Sequence, residues 1–186
     1  MTLPRLLILT DRTQLPHRVT LIDHIEKCVE AGATHLVLRE LDLPTSVRSE
    51  LAEAMTAIGA TVIAARSLVA GAVGVHQASM ARGMVRHLVG RSCHSRADVE
   101  QAAVDRVTYA TLGPYAATAS KPGYGPPIDP HAYADLPIPT YALGGITPAN
   151  AADAIEAGAY GVAVMGAIMR SADPAAIVSD LLEATR

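Results

Sequence analysis

The chain has 186 residues, which is enough for one domain with a sizeable core, and half of its residues are hydrophobic although Phe and Trp are absent. Its formal net charge of −3 argues against general binding to nucleic acid or to a membrane surface. Cys28 and Cys93 lack paired-ligand spacing, which argues against a zinc site and a disulfide framework. Without a secretory signal or an apolar run of bilayer length in this sequence, we expect a cytoplasmic location.

Short apolar runs alternate with segments of helical periodicity along the chain. Strands are predicted at 6–10, 35–39, 61–65, 73–76, 85–92 and 106–112, and helices at 21–31, 45–58 and 97–104. A β-α-β unit follows over 139–168, and a last helix is predicted at 174–185. Strands alternating with helices predict a parallel sheet, and eight strands in one short domain favour a small (β/α)8 TIM barrel over residues 1–186. A doubly wound open sheet is the alternative.

Glycines end both strands of the β-α-β unit. Gly144 and Gly145 follow its first strand, and Gly166 and Ala167 follow its second. Glycine lets a ligand approach the backbone closely, and the loops after the last two strands of such barrels commonly bind phosphate. The sequence therefore predicts a phosphate site here, and the alternative is that the glycines only form tight turns and helix caps.

Polar side chains follow several other predicted strands, where barrel enzymes place their chemistry. The candidate residues at these ends are Arg39, Arg66, His76, Ser92 and His94, together with Thr118, Ser120 and Lys121 of the long loop 113–130. Arginines suit an anionic ligand, but they could instead pair with Glu40 or Asp11 at the rim. Each histidine could serve as a general base or as a structural residue. The histidines lack metal-ligand spacing, so we predict no metal site.

Six segments, in this order, resemble the thiamine phosphate synthase/TenI superfamily along nearly the whole chain. They are LLILTDR at 6–12, LVLRE at 36–40, VGRSCHS at 89–95, TLGPYAATASKPGYG at 111–125, PTYALGGITPAN at 139–150 and GVAVMGAIM at 161–169. The resemblance implies a small barrel that binds a phosphorylated thiazole. It places the thiazole phosphate on Thr118, Ser120, Gly144, Gly145, Gly166 and Ala167.

Departures from the family pattern indicate which branch of the superfamily, synthase or TenI, the chain resembles more. The synthase joins a pyrimidine diphosphate to the thiazole phosphate with Mg²⁺, but Ala65 and Ala81 stand where the resemblance implies its carboxylate ligands. A TenI relative instead isomerises a thiazole carboxylate phosphate without a metal. Its histidine is replaced here by Pro114, so we expect His94, and after it His76, to act as the base.

Three functions follow from this resemblance. We favour a TenI-like, metal-independent thiazole tautomerase that needs no cofactor. The first alternative is a divergent thiamine phosphate synthase, which would need Mg²⁺ held by other groups or supplied through a partner chain. The second is a non-catalytic protein that binds a thiazole or thiamine phosphate. The expected partner is the small phosphorylated thiazole, and the sequence leaves open whether the chain forms a homo-oligomer.

Overall fold

The computed structural model describes residues 2–79, 88–117 and 126–186. Eight parallel strands form a closed barrel in which each strand pairs with its neighbour in sequence and the last pairs with the first. The strands are β1 Leu6–Leu9, β2 His35–Leu38, β3 Thr61–Ala65, β4 Gly74–Gln77, β5 Leu88–Cys93, β6 Tyr109–Leu112, β7 Thr140–Leu143 and β8 Gly161–Val164. The predicted (β/α)8 fold is therefore confirmed, and the doubly wound sheet is excluded.

Helices cover the outside of the barrel. They are α1 Leu21–Glu30, α2 Thr45–Ala57, α3 Arg96–Val104, α4 Pro148–Glu156, α5 Gly166–Met169 and α6 Pro174–Ala184, and 3-10 turns lie at Arg12–Gln14 and Pro130–Tyr133. The hydroxyl of Thr20 accepts from the Asp23 amide and starts α1, while Asp173 accepts from the Ala176 amide and starts α6. Among these helices, none has both the length and the apolar character needed to cross a bilayer.

Side chains alternate between two cores along each strand. One core lies between the strands and the helices and includes Ile8, Leu36 and Val62, while the other fills the inside of the barrel. The inner core is closed in part by Tyr109 and Tyr141, whose rings meet edge to face with centroids 5.6 Å apart. Tyrosine thus supplies the bulk that the missing Phe and Trp would otherwise give.

Most predicted element bounds lie within one residue of the structure, but the starts of β5 and β6 and the short helix α5 need comment. β6 begins at Tyr109 rather than at residue 106, because Arg106 adopts a φ of 59° in the turn that ends α3. β5 extends to Cys93, and the predicted start of this strand at 85–87 lies outside the described residues. Helix α5 was not predicted, since four residues are too few to show a helical period.

Candidate active site

A cavity of about 500 Å³ opens at the carboxyl end of the barrel. Its wall brings together every predicted site residue that the structure describes, namely Arg39, Arg66, His76, Ser92, His94, Gly144, Gly145, Gly166 and Ala167. Thr118, Ser120 and Lys121 lie outside the described residues. Parallel strands carry their carboxyl ends to one edge, so residues far apart in sequence converge here.

The glycines after β7 form a tight backbone turn against the loop that follows β6. Gly144 and Gly145 have φ values of 96° and 69°, which favour glycine. A Cβ atom at Gly145 would lie 2.6 Å from the Ala117 carbonyl oxygen, so only glycine allows the two loops to approach this closely. Asn150 of α4 donates to the Gly145 carbonyl oxygen at 3.0 Å and accepts from the Thr147 amide at 2.8 Å. The turn is therefore fastened to the start of α4.

The arginines predicted at the rim do not pair with the expected carboxylates. Glu40 is buried and accepts from the guanidinium and backbone amide of Arg12, at 3.0 and 3.1 Å. Asp11 caps the 3-10 turn that follows β1. Within the described chain, neither Arg39 nor Arg66 forms an ion pair with a carboxylate. The alternative in which these two arginines pair with Glu40 or Asp11 is therefore wrong, and both arginines line the cavity.

Arg170 is a third cavity-lining arginine, which the sequence prediction missed. Its guanidinium lies over Gly166, since a Cβ atom at Gly166 would come within 2.7 Å of the guanidinium carbon, and it also donates to Gln14. Arg170 follows Gly166 by four residues, which is one helical turn. This four-residue spacing could have identified Arg170 as a cavity residue, but only if α5 had been predicted.

His76 lies at the centre of a hydrogen-bonded chain on the cavity floor. Its Nδ1 is 3.0 Å from the Tyr109 hydroxyl, and its Nε2 is 3.0 Å from the Ser92 hydroxyl. Burial, with a smaller contribution from the nearby positive charge of Arg39, lowers the pKa of His76 to about 4. The imidazole is therefore neutral at neutral pH, and both of its nitrogens are already engaged by hydroxyl groups.

His94 lies at the exposed edge of the cavity, beyond the end of β5. Its Nδ1 is 3.1 Å from the Gly113 carbonyl oxygen, and its backbone amide donates to Asp98 at 2.9 Å. The ring thus makes the contact with loop backbone that its structural alternative predicts. Its assignment as a general base stays a prediction.

The donor atoms at the cavity do not suit Mg²⁺. No Asp or Glu belongs to the described residues that line the cavity, and the described part of the chain contains no cluster of three His, Cys, Asp or Glu residues able to hold a metal. Ala65 lines the cavity at the end of β3, and Ala81 lies outside the described residues. Because Mg²⁺ requires oxygen ligands, the residues present do not fit this ion.

Comparison of the sequence with known proteins indicates one family. A family model described as thiamine monophosphate synthase matches residues 6–168. The thiamine-phosphate synthase of Roseiflexus castenholzii is 34% identical over 196 residues, which cover 95% of this chain and 86% of that protein. The thiamine-phosphate synthase of Moorella thermoacetica is 34% identical over 182 residues, which cover 87% of each protein.

A solved structure agrees at the level of the fold. The thiamine phosphate pyrophosphorylase of Pyrococcus furiosus matches with a TM-score of 0.81 and 21% identity, covering 97% of this chain and 95% of that one. The names of the relatives support the synthase alternative better than the favoured tautomerase. On the extent of these matches, the chain belongs to the thiamine monophosphate synthase family of thiamine biosynthesis.

Proposed function

We propose that this protein binds the phosphorylated thiazole of thiamine biosynthesis and joins it to a pyrimidine diphosphate, as a divergent thiamine phosphate synthase. The observation that carries the proposal is the convergence of Gly144-Gly145 and Gly166-Ala167 on one cavity that three arginines also line. Backbone groups at glycine turns can cradle a phosphate, and guanidinium groups can neutralise a diphosphate. The family membership supplies the substrate class.

Each part of the cavity takes one part of the reaction in this proposal. The thiazole phosphate sits on the glycine turns, with Thr118, Ser120 and Lys121 of the loop after β6 completing its site. The thiazole nitrogen forms the new C–N bond while the C–O bond to the diphosphate breaks, and the bonding pair leaves with the diphosphate. Arg39 and Arg66 face the cavity without a carboxylate partner in the described chain, so they are placed to stabilise that departing charge. No step is assigned to a metal, because the described cavity wall offers no carboxylate to hold one.

The test combines calorimetric binding of the thiazole phosphate with an assay of coupling to the pyrimidine diphosphate. Arg39→Gln should weaken binding or turnover by about tenfold or more, since it removes a charge-assisted contact. Arg186→Gln is the matched control, because it removes the same charge beyond the end of α6, where helices of a (β/α)8 barrel reach the opposite face. Wild-type protein that binds no thiazole phosphate would refute the proposal. Binding without turnover would indicate the non-catalytic alternative.

A metal-independent isomerase is the second candidate, and one observation favours it. The described cavity wall presents His76 and His94 but no carboxylate that could hold a metal. Isomerisation requires a base that moves a proton between carbon and the ring, and His94 is the accessible imidazole. His94→Gln should abolish isomerisation while it largely preserves thiazole phosphate binding. Isomerisation that is absent from the wild type, or unchanged in His94→Gln, would remove this candidate or this base.

A further inference from the structure

Arg66, one of the described arginines that line the cavity, lies in a strained backbone turn directly after β3. Its φ is 68°, in the left-handed region that arginine rarely adopts. The Ser67 amide donates to the Ala65 carbonyl oxygen, two residues back, at 2.9 Å. This bond defines a γ-turn, and a γ-turn with a positive φ at its central residue is the rarer, strained form. Such strain persists only where the surrounding structure holds it, so we expect a group that holds this turn.

The side chain of Arg48, on α2, holds this turn from the helix side. Its Nη2 donates to the Ala65 carbonyl oxygen at 2.7 Å, and its Nη1 donates to the Ser67 hydroxyl at 3.3 Å. The Arg48 guanidinium therefore bonds both residues that flank Arg66. On the other side, the Arg66 amide donates to the His76 carbonyl oxygen of β4 at 2.8 Å. The turn is thus fixed between a helix and a strand, while the Arg66 side chain lines the cavity.

The surroundings of Arg48 are unfavourable for a positive charge. Arg48 is 5% exposed, and its Nε has no hydrogen-bond partner among the described residues. It forms no ion pair with a carboxylate of the described chain. Burial lowers its pKa, and the charge of Glu40, which opposes this shift, is already bonded to Arg12. A buried cation without a carboxylate partner lowers stability, and an apolar side chain of similar size would avoid that cost. Stability alone therefore does not explain an arginine at this position.

We propose that Arg48 is a positioning residue for Arg66, which it holds in the strained turn so that the Arg66 guanidinium meets the diphosphate of the substrate. Arg48 is not among the described residues that line the cavity, so it acts on the ligand only through Arg66. A turn that is fixed before the ligand arrives reduces the conformational entropy that Arg66 loses on binding. The inference rests on the proposed function above, which assigns Arg66 to the diphosphate.

Affinity for inorganic diphosphate, measured by calorimetry, and urea unfolding of the same proteins test the inference together. Arg66→Gln should weaken diphosphate binding by about tenfold, since it removes a charge-assisted contact. Arg48→Met keeps an apolar stem and should weaken binding by about fivefold, because Arg66 is then ordered only when the ligand binds. The free energy of unfolding of Arg48→Met should be equal to that of the wild type or higher. The Ala65 carbonyl oxygen keeps its bond from the Ser67 amide, and the buried charge is gone.

A double-mutant cycle separates positioning from a direct effect of the Arg48 charge on the ligand. In Arg66→Gln protein, the further change Arg48→Met should leave diphosphate affinity as it is, because the group that Arg48 positions is already absent. A direct charge effect would instead persist in both backgrounds. Arg96→Met is the matched control. Arg96 donates to the Ala134 carbonyl oxygen at 2.6 Å, next to Asp135 with its φ of 50°, and none of these three residues lines the cavity. This variant should keep the diphosphate affinity of the wild type.

Three results would overturn the inference. The first is an unchanged diphosphate affinity in Arg66→Gln or in Arg48→Met. The second is an equal loss of affinity from Arg48→Met in the wild type and in Arg66→Gln. The third is a marked loss of stability in Arg48→Met, which would make the arginine a structural residue. Wild-type protein that binds no diphosphate would refute the proposed function as well, whereas diphosphate binding that does not depend on Arg48 refutes this inference alone.

Discussion

Burial decides the chemistry of single residues at this site. His76 is 6% exposed and has a pKa of about 4, whereas a histidine in the unfolded chain titrates near 6.5. As the pH falls from about 6.5 to 4, the unfolded state takes up a proton that folded His76 does not. The unfolded state is thereby favoured, so the contribution of His76 to stability is present above pH 6.5 and lost towards pH 4.

We expect this one group to lower the free energy of unfolding by about 3 kcal/mol between pH 6.5 and pH 4. Burial lowers the pKa of His24 and His35 too, so the measurement is a difference in pH dependence between two proteins. Urea unfolding of His76→Gln should show a shallower loss of stability across this pH range than the wild type. His131→Gln, at an exposed position, should match the wild type. Equal slopes for His76→Gln and the wild type would contradict the depressed pKa.

At the scale of elements, the two glycine-ended strands of the proposed phosphate site depend on glycine for different reasons. The turn after β7 needs glycine for its own backbone, because Gly145 has a positive φ and packs against the next loop. The start of α5 needs glycine only to leave room for Arg170. The same substitution at the two positions should therefore have different effects on folding.

Gly145→Ala should reduce the free energy of unfolding by about 1–3 kcal/mol, because it strains the backbone and meets the Ala117 carbonyl. Gly166→Ala should change stability by about 0.5 kcal/mol or less, since it displaces only the flexible end of Arg170. Both variants should bind inorganic phosphate more weakly. Gly158→Ala is the control, with a φ of 106° after α4, and should lose stability while keeping phosphate affinity. Phosphate affinity unchanged in Gly166→Ala would place the anion elsewhere.

The sequence predicted elements better than the contacts between them. Strand ends identified Arg39, Ser92 and His76, because a parallel barrel gathers such ends whatever the details of packing. The link from His76 to Tyr109 could not be predicted in the same way. It depends on β4, β5 and β6 being neighbours with one fixed register. It also depends on Gly90 of β5, because a Cβ atom there would overlap both His76 and Tyr109.

At the scale of the whole molecule, the cavity combines cationic side chains and backbone groups, and its described wall has no carboxylate. The carboxylates of the described chain therefore lie outside this wall, and two of them, Glu40 and Asp42, are paired with Arg12. Such a site is suited to hold an anion through protein groups alone.

We therefore expect thiazole phosphate affinity to be the same in the presence of Mg²⁺ and in the presence of a chelator. Any coupling to the pyrimidine diphosphate should likewise survive the chelator, because the described residues that line the cavity offer Mg²⁺ no carboxylate. Calorimetry and the coupling assay, each run with and without EDTA, measure this. Turnover at rates typical of enzymes that the chelator abolishes would show that the metal is held by groups outside the described wall.

The alternation of inward- and outward-facing side chains along β6 limits which mutations this strand can accept. Tyr109 and Thr111 face the inside of the barrel, while Ala110 and Leu112 pack under the helices. Residues that face the inside of the barrel and residues that pack against the helices thus alternate one by one along this strand. A single inserted or deleted residue would shift the register by one position, so the inward-facing side chains would turn outward and the outward-facing ones inward. A substitution can change one inward-facing side chain and leave the packing against the helices intact. New ligand preferences can therefore arise in this strand by substitution but not by a change in its length.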